Sequence, residues 1–599
     1  MLTNYKKCIV FFVLFVWVMQ LQAQWKQLEN PIEEAQKVGD YVIAHSSFRY
    51  QLQLKKELPG LSEMQSLNLE NNFGKGIAGA AFAYTQLQSA VDTTVTLSIS
   101  HSDASMIWLN GKPVYENVKS NKFTAIQQER NIQLQFECLL PLKKGNNDLL
   151  LKSVSNGNGW KIIMQAIGSD ATIGLRTVPD ILPDVAKISN WLIMGPFAIN
   201  NLADGMQTKY GVEDGFKIGR MYSDKNQSFT WSIPRVELTN TVPDNEPYWG
   251  SFYHYNYHNA GLARAMALLS QQSGVNRYDE FSMRYCNFML ESLPFIRYQV
   301  DSLNQFYCMN HLLVNTPLLD FTAATAMPFV HQLRLKNNFE NRPQFDSMFT
   351  AIKQYVIKEQ VRLPLGNFTR LTPEKYTTWV DDMYMGIPFL MQCALETTDA
   401  KERSELFTDA ARQVIAFNQV LFDAKDGLYH HARHSQRPEV NYPYWLRANG
   451  WGLWAATEVL QDLPAKHPLR KQVMAIYRKQ VESLLKYQDS TGFWHNIINM
   501  PTTRLETSGT AIFTQCIARG ITNGWLDKKR YLASAINGWK AVSSRIKNDG
   551  SIEGIIVGSM TSEDETYYEN QPMVNNDSHG TFCVMMACLA MDDLMKKIK

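Results

Sequence analysis

The stretch Asn259-Ala-Gly-Leu-Ala-Arg-Ala-Met-Ala-Leu-Leu269 decides the fold class of this chain. Its apolar residues recur at intervals of three and four, the period of a helix with a buried face. The same spacing returns at Leu406–Leu421, Trp451–Leu460, Val473–Tyr487, Ala511–Ile521, Tyr531–Ile546 and Gly580–Met595. Connections rich in Gly, Pro and Asn separate these segments, with no strand series among them and no repeat of fixed length. Residues 248–599 therefore predict about ten to twelve helices arranged as an α/α toroid. In such a toroid, two concentric rings of helices surround a pocket with their inner ends.

The chain ahead of this region has a different texture. Thr93–Ser100 and Asn131–Phe136 alternate polar and apolar residues, and Met106–Leu109 runs into a turn at Asn110-Gly-Lys-Pro113. Short strands punctuated by Asn, Gly and Pro predict a β-sandwich-rich region over 24–247. Asp103–Val114 resembles the galactose-binding-like jelly-roll modules appended to carbohydrate enzymes, so the sandwich is expected to be jelly-roll-like. Residues 1–23 read as a signal peptide, with Lys6 and Lys7, an apolar run from Cys8 to Leu21, and a small-residue cleavage site at Leu21-Gln-Ala23. The apolar run is shorter than the ~20 residues of a spanning helix. Export to the periplasm or the medium is expected, with no integral membrane segment after signal removal.

At 599 residues and 45% hydrophobic, the chain is long enough for a large core in more than one domain. Taking Lys6 and Lys7 from its 59 basic residues leaves 57, against 57 acidic ones. That balance, with no Lys/Arg run, argues against nucleic acid or an anionic membrane as partner. Seven of the eight cysteines follow the signal segment, widely spaced in apolar runs, and are expected to be buried free thiols. No His-Glu-x-x-His, Cys-x-x-Cys, phosphate loop or Gly-x-Ser-x-Gly elbow is present, and neither a metal nor a cofactor is called for.

Two stretches carry the chemistry. Trp379-Val-Asp-Asp-Met-Tyr-Met385 sets carboxylates beside an indole just ahead of an apolar helix. Arg447-Ala-Asn-Gly-Trp451 sets a guanidinium and an indole one helical turn apart. Neighbours on a helix project about 100° apart, so at most one of Asp381 and Asp382 is expected to point into a pocket while the other caps the helix or meets solvent. Asp320, ahead of Ala323-Ala-Thr-Ala326, reads equally as an N-cap or a second active carboxylate. Arg447 and Trp451 read either as ligands of a sugar or as a structural stacked pair.

The ordered blocks Thr378–Met385, Gly427-Leu-Tyr-His-His431, Arg447–Trp454, Gly492-Phe-Trp-His495, Leu505–Phe513 and Asn576-Asp-Ser-His-Gly580 resemble glycoside hydrolase family 105. These are the unsaturated rhamnogalacturonyl hydrolases, related to the unsaturated glucuronyl hydrolases of family 88. The resemblance covers Tyr248 to Lys599. It implies an (α/α)6 barrel that removes a 4,5-unsaturated uronic acid from the nonreducing end of an acidic oligosaccharide made by a lyase. Carried over by position, it implies Asp381 as the catalytic acid/base and Asp320 as a second active carboxylate. His431, Arg447 and Trp451 become substrate contacts, Trp379 a wall of the site, and Arg370 and His495 further substrate-binding positions. Two positions depart from the family pattern: His434 stands where an Asp is frequent, and Arg370 where a His is common.

Such a substrate is an enol ether. Protonation at C4 makes C5 oxocarbenium-like, water adds there, and the ring opens to release the aglycone. One carboxyl can give the first proton and take one from water. Asp381 is accordingly expected to be protonated well above the usual ~3.9, through burial or a neighbour such as Asp320. A conventional inverting glycosidase and an inactive carbohydrate-binding protein are the alternatives the sequence leaves open.

Overall fold

A computed structural model describes residues 28–46, 48, 50–54, 65–118, 136–167, 174–176, 189–207, 229–234, 236–240, 252–301, 310–314 and 318–598. The signal-peptide segment, most of Asn131–Phe136 and Cys308 lie outside them. The chain forms two compact units: 1–46 with 244–286 and 319–599, and 47–243 with 287–318.

The second unit contains three antiparallel sheets among its described residues, one of them only the pair Tyr50–Leu54 and Val236–Asn240. In the larger of the other two, neighbours run Phe229–Pro234, Ser189–Phe197, Ala78–Ser89, Gly145–Asn156, Ala104–Leu109 and Lys112–Asn117, with Gly174–Arg176 also paired to Ala78–Ser89. The smaller runs Gln65–Asn68, Lys161–Ile167, Thr93–His101 and Phe136–Leu142. Alternate residues of both sheets, among them Ala83, Leu97, Ile99, Ile107, Leu151 and Met164, meet in one core. The turn at Asn110-Gly111 pairs Leu109 with Lys112. Both turn residues take positive φ, 51° and 77°, which suits the right-handed twist of the flanking strands.

In the first unit, eleven long helices of the described residues are arranged in two rings, and a twelfth, α3, belongs to the unit only through residue 286. They are α1 (Pro31–Ala44), α2 (Tyr257–Ser273), α3 (Arg277–Asp301), α4 (Ala323–Leu335), α5 (Arg342–Gln354), α6 (Asp381–Glu396), α7 (Ala400–Leu421), α8 (Leu446–Asp462), α9 (Arg470–Leu484), α10 (Thr507–Thr522), α11 (Lys528–Ser543) and α12 (Ser578–Ile598). Each even-numbered helix packs on the next, and α12 returns to α2, which closes an inner ring. These helices are apolar nearly all round, because the outer ring covers one side and inner neighbours the other. Residues 446–460 of α8 are buried without a break. Close approach is enforced by small residues: a Cβ on Gly509 of α10 would lie 2.3 Å from Leu446 Cγ of α8.

Helices α5, α7, α9 and α11 form an outer ring, each lying on the helix before it. The outer partner of α12 comes from the other end of the sequence. Helix α1 packs on α12 and α2 with Ala35, Val38 and Val42 fully buried. It is pinned by Asp40, which accepts two hydrogen bonds of 2.9 Å from Arg277, and by Tyr41, whose hydroxyl accepts one from Asn576. The sequence reading placed 24–247 in the β-rich region, whereas 31–44 is part of the helical unit. Its apolar stripe packs on a helix at the far end of the sequence, a match that local pattern does not reveal. Cys138, Cys286, Cys393, Cys516, Cys583 and Cys588 are buried and free, as expected.

Candidate active site

The starts of the inner helices face one another at one end of the ring. Trp379 closes the short strand Thr377–Trp379, which pairs with Ala432–His434 in the register Trp379 to Ala432. This tiny sheet, extended by a hydrogen bond from Val380 N to His431 O, sets His431 against the first turn of α6. Asp381 Oδ2 lies 3.1 Å from His431 Nε2, and His431 Nδ1 lies 2.7 Å from the Tyr568 hydroxyl. That hydroxyl also accepts from Ser562 N. Trp379 and Trp445 pack on the imidazole, with ring centroids 5.6 and 4.7 Å away.

Neither Asp381 nor Asp382 caps α6; both lie inside its first turn and are buried. The expectation that Asp382 caps the helix or meets solvent does not hold. Its carboxylate takes hydrogen bonds from Arg370 Nε at 3.0 and 3.2 Å and from Nη2 at 2.9 Å. The same Nη2 reaches Asp320 Oδ2 at 2.9 Å, while the guanidinium lies over the Trp379 ring at 4.2 Å. Asp320, Asp381 and Asp382 thus share one buried site with Arg370 and His431.

Their titration follows from these neighbours. Burial pushes Asp382 up and Asp320 adds to it; Arg370 opposes them, and the carboxyl settles at about 7. Asp320 is also raised, by burial and by Asp381, against Arg370. Asp381 goes the other way. Burial raises it, but the charge and hydrogen bond of His431, helped by Arg370, outweigh that and hold it below its ordinary value. The expected strong elevation at Asp381 is therefore absent: its nearest polar partner is an imidazole, and the carboxyls that are raised are Asp320 and Asp382.

Other sequence candidates sit behind the site surface. Arg447 is 1% exposed, and its Nη1 donates to Ser508 Oγ at 3.0 Å and Ile556 O at 2.6 Å. Its Nη2 donates to Val557 O at 2.6 Å, and its plane covers Trp445 at 4.7 Å. Trp451 is fully buried, stacked with Tyr384 at 4.8 Å and Phe582 at 5.8 Å. The expectation that this pair lines the substrate face thus meets a packed wall, since both side chains turn inward to join α8 with α10, α6 and α12. His495 pairs with Thr503 O at 2.6 Å and lies 4.0 Å from Asp489; neither partner belongs to the Asp381 group.

The model of Glycosyl Hydrolase Family 88 matches residues 236–595. The chain belongs to this family. Among curated proteins, it is 26% identical over 196 residues to the unsaturated rhamnogalacturonyl hydrolase YesR of Bacillus subtilis, which covers 32% of this chain and 54% of that protein. It is 28% identical over 182 residues to an unsaturated 3S-rhamnoglycuronyl hydrolase of an Alteromonas species, covering 30% and 43%. The chain thus spans about half the length of the curated relatives it matches. A crystal structure of a possible member of the GH105 family from Salmonella enterica shares the fold, with a TM-score of 0.50 and 18% identity over 59% of this chain and 86% of that one. The resemblance seen in the motifs is borne out at the level of the family.

Within this family 88 chain, the site contains residues that motif spacing did not single out. Asp382 was treated as the idle neighbour of Asp381, although its burial was available from the apolar residues that follow it. Tyr568 comes from a short helix, Glu565–Asn570, far along the chain from His431, and no local signal ties the two together. Tyr257 and His579 open α2 and α12, with rings 5.4 Å apart. Tyr257 also feels the charges of Arg447, Asp320 and Asp381.

Proposed function

We propose that this chain hydrolyses acidic oligosaccharides bearing a 4,5-unsaturated uronyl residue at the nonreducing end, with Asp381 as acid and base. The observation that carries this proposal is the Asp381–His431–Tyr568 chain of 3.1 and 2.7 Å contacts, buried at the mouth of a family 88 barrel. The relatives named for unsaturated rhamnogalacturonyl and 3S-rhamnoglycuronyl substrates support the same substrate class.

Held below its ordinary value by His431 and Arg370, Asp381 is anionic near neutral pH. An anionic uronide placed against it adds negative charge and excludes water, and both changes favour the protonated acid. The Asp381 O–H then delivers its proton to C4 as the C4–C5 π electrons form the new C–H bond. C5 becomes electron-poor and is stabilised by the ring oxygen. Water adds to C5 and returns a proton to Asp381, so the acid is regenerated. The C5 hemiketal opens by cleavage of its bond to the ring oxygen, and the C1 hemiacetal left behind expels the aglycone as an alcohol. His431, steadied by Tyr568, orients the Asp381 carboxyl throughout. Asp320 accepts hydrogen bonds from ring hydroxyls, and Trp379 forms part of the wall.

Incubation with saturated and lyase-generated oligosaccharides, following the ultraviolet absorbance of the conjugated double bond, tests the proposal. Loss of absorbance with release of the shortened sugar is expected. Cleavage of the saturated series alone assigns the barrel to conventional glycoside hydrolysis instead. Export is part of the proposal and rests on Lys6, Lys7 and the apolar run to Leu21. The jelly-roll-like character of the front unit is also proposed, on the strength of Asp103–Val114.

A further inference from the structure

Arg370 has a peculiar charge environment. Its side chain is 5% exposed, and the polar contacts of its Nε and Nη2 all go to carboxylates: Asp382 at 2.9 to 3.2 Å and Asp320 at 2.9 Å. One guanidinium therefore faces two carboxylates, with a third, Asp381, near enough to act on it electrostatically. It is no surplus cation waiting for an anionic sugar, because its Nε and Nη2 are already taken up by the carboxyl oxygens of Asp382 and Asp320. A planar fork can bridge two carboxylates at fixed angles, which an imidazole or an ammonium cannot do in the same way. The indole of Trp379 beneath it fixes the remaining degree of freedom.

We infer that Arg370 is a positioning residue: it holds Asp320 for hydrogen bonds to the hydroxyls of the uronyl ring, and Asp382 is the counter-anion that locks Arg370. This rests on the proposed function and adds a specific use for the position where the family pattern has a His. Asp382 anchors the fork through both of its oxygens, while Asp320 meets it through one oxygen and is the more exposed of the two carboxylates, at 13% against 2%. The anchored end and the working end are thus distinguishable. Removing the guanidinium frees Asp320 to turn and to take up a proton, since burial and Asp381 both push its titration upward and Arg370 is what opposes them. The groups facing Asp320 are Arg370, Asp381 and Asp382, with Tyr257 across the site.

The test compares wild type, Arg370→Lys and the double variant Arg370→Met/Asp382→Asn on an unsaturated disaccharide. The double variant removes Arg370 together with Asp382, the less exposed carboxylate that it binds through both oxygens, so that only Asp320 loses its cation. This variant is expected to melt near wild type but to lose kcat/KM by on the order of 10- to 100-fold, mostly through KM. Its acid limb should move to higher pH, because Asp320 then protonates more readily. Arg370→Lys should fall between the two. A double variant with wild-type kcat, KM and pH profile, or one that merely melts earlier, overturns the positioning role. If wild type shows no turnover on any unsaturated oligosaccharide, the proposed function fails and this inference with it.

Discussion

Arg447→Lys keeps the charge and removes the fork. In the structure that fork donates to Ser508 Oγ, Ile556 O and Val557 O at 3.0, 2.6 and 2.6 Å, with Glu506 3.9 Å away. Hydrogen bonds from a charged group contribute roughly 1.5–3 kcal/mol each, and a buried acceptor left unpaired adds its own cost. An ammonium reaching this site keeps one such bond, so the gross loss is about 3–6 kcal/mol. A closer contact with Glu506 returns some of that, which leaves a net destabilisation of about 2–4 kcal/mol. Urea unfolding followed by tryptophan emission measures it, while kcat and KM are taken well below the melting range. The expected result is a lowered urea midpoint with near-normal kinetics. Unchanged stability with KM raised on the order of tenfold would refute the structural account and make Arg447 a substrate ligand after all.

Asp381→Asn should fold normally, since an amide oxygen can still meet His431, and should lose turnover by ~10²–10⁴-fold. A folded variant with near wild-type loss of ultraviolet absorbance removes Asp381 from the chemistry. Burial raises Glu458, but Arg519 and Arg264 outweigh it and bring the carboxyl to about 2. Because that folded value lies below the unfolded one of 4.5, the stabilisation is present above pH 4.5 and disappears as pH falls towards 2; it is about 3 kcal/mol in size. Glu458→Gln should flatten that acid limb of the stability curve, and a limb as steep as wild type contradicts the assignment. Deleting residues 1–46 uncovers α12 and should destabilise the helical unit by roughly 3–5 kcal/mol, from lost aliphatic burial and the Asp40–Arg277 contact. Unchanged melting and protease resistance of the truncated chain would show that α1 is dispensable.

The helices were legible because their evidence is local. Apolar residues at helical spacing announce a buried face wherever they occur, and the segments read from Asn259, Leu406, Trp451, Ala511 and Gly580 all lie within observed helices. What local pattern lacks is the partner of each face. Helix α1 looked like part of the strand-rich region because its destination lies at the far end of the sequence. The site shows the same limit. Asp381 and Asp382 were recognisable as a pair, but their roles depend on Arg370 and His431, neither of which is fixed by helical periodicity. Arg447 and Trp451 were found correctly as one helical face, yet which way that face turns is set by α6, α10 and α12.

The proposed function requires a site with three carboxylates to receive an anion, and the helix starts bear on that requirement. Tyr257, Asp381, Arg447, Ser508 and His579 each lie within the first two residues of an inner helix, and Asp320 lies just before α4. Contacts between Arg447 and Ser508, between Tyr257 and His579, and through Arg370 from Asp320 to Asp382 bring these helix starts together. Each start carries roughly half a positive charge from its aligned peptide dipoles, and that charge needs no side chain to present it. The ring therefore supplies a positive field fixed in the backbone. The Asp320, Asp381 and Asp382 carboxylates stand in that field. On the proposed function, the same field would receive a uronate without a surplus of Lys or Arg, in keeping with the nearly balanced charge of the chain. The proposed acid chemistry then needs only one carboxyl whose protonation responds to the arriving charge, and Asp381, hydrogen-bonded to His431 rather than to Arg370, is the residue the proposal assigns to it.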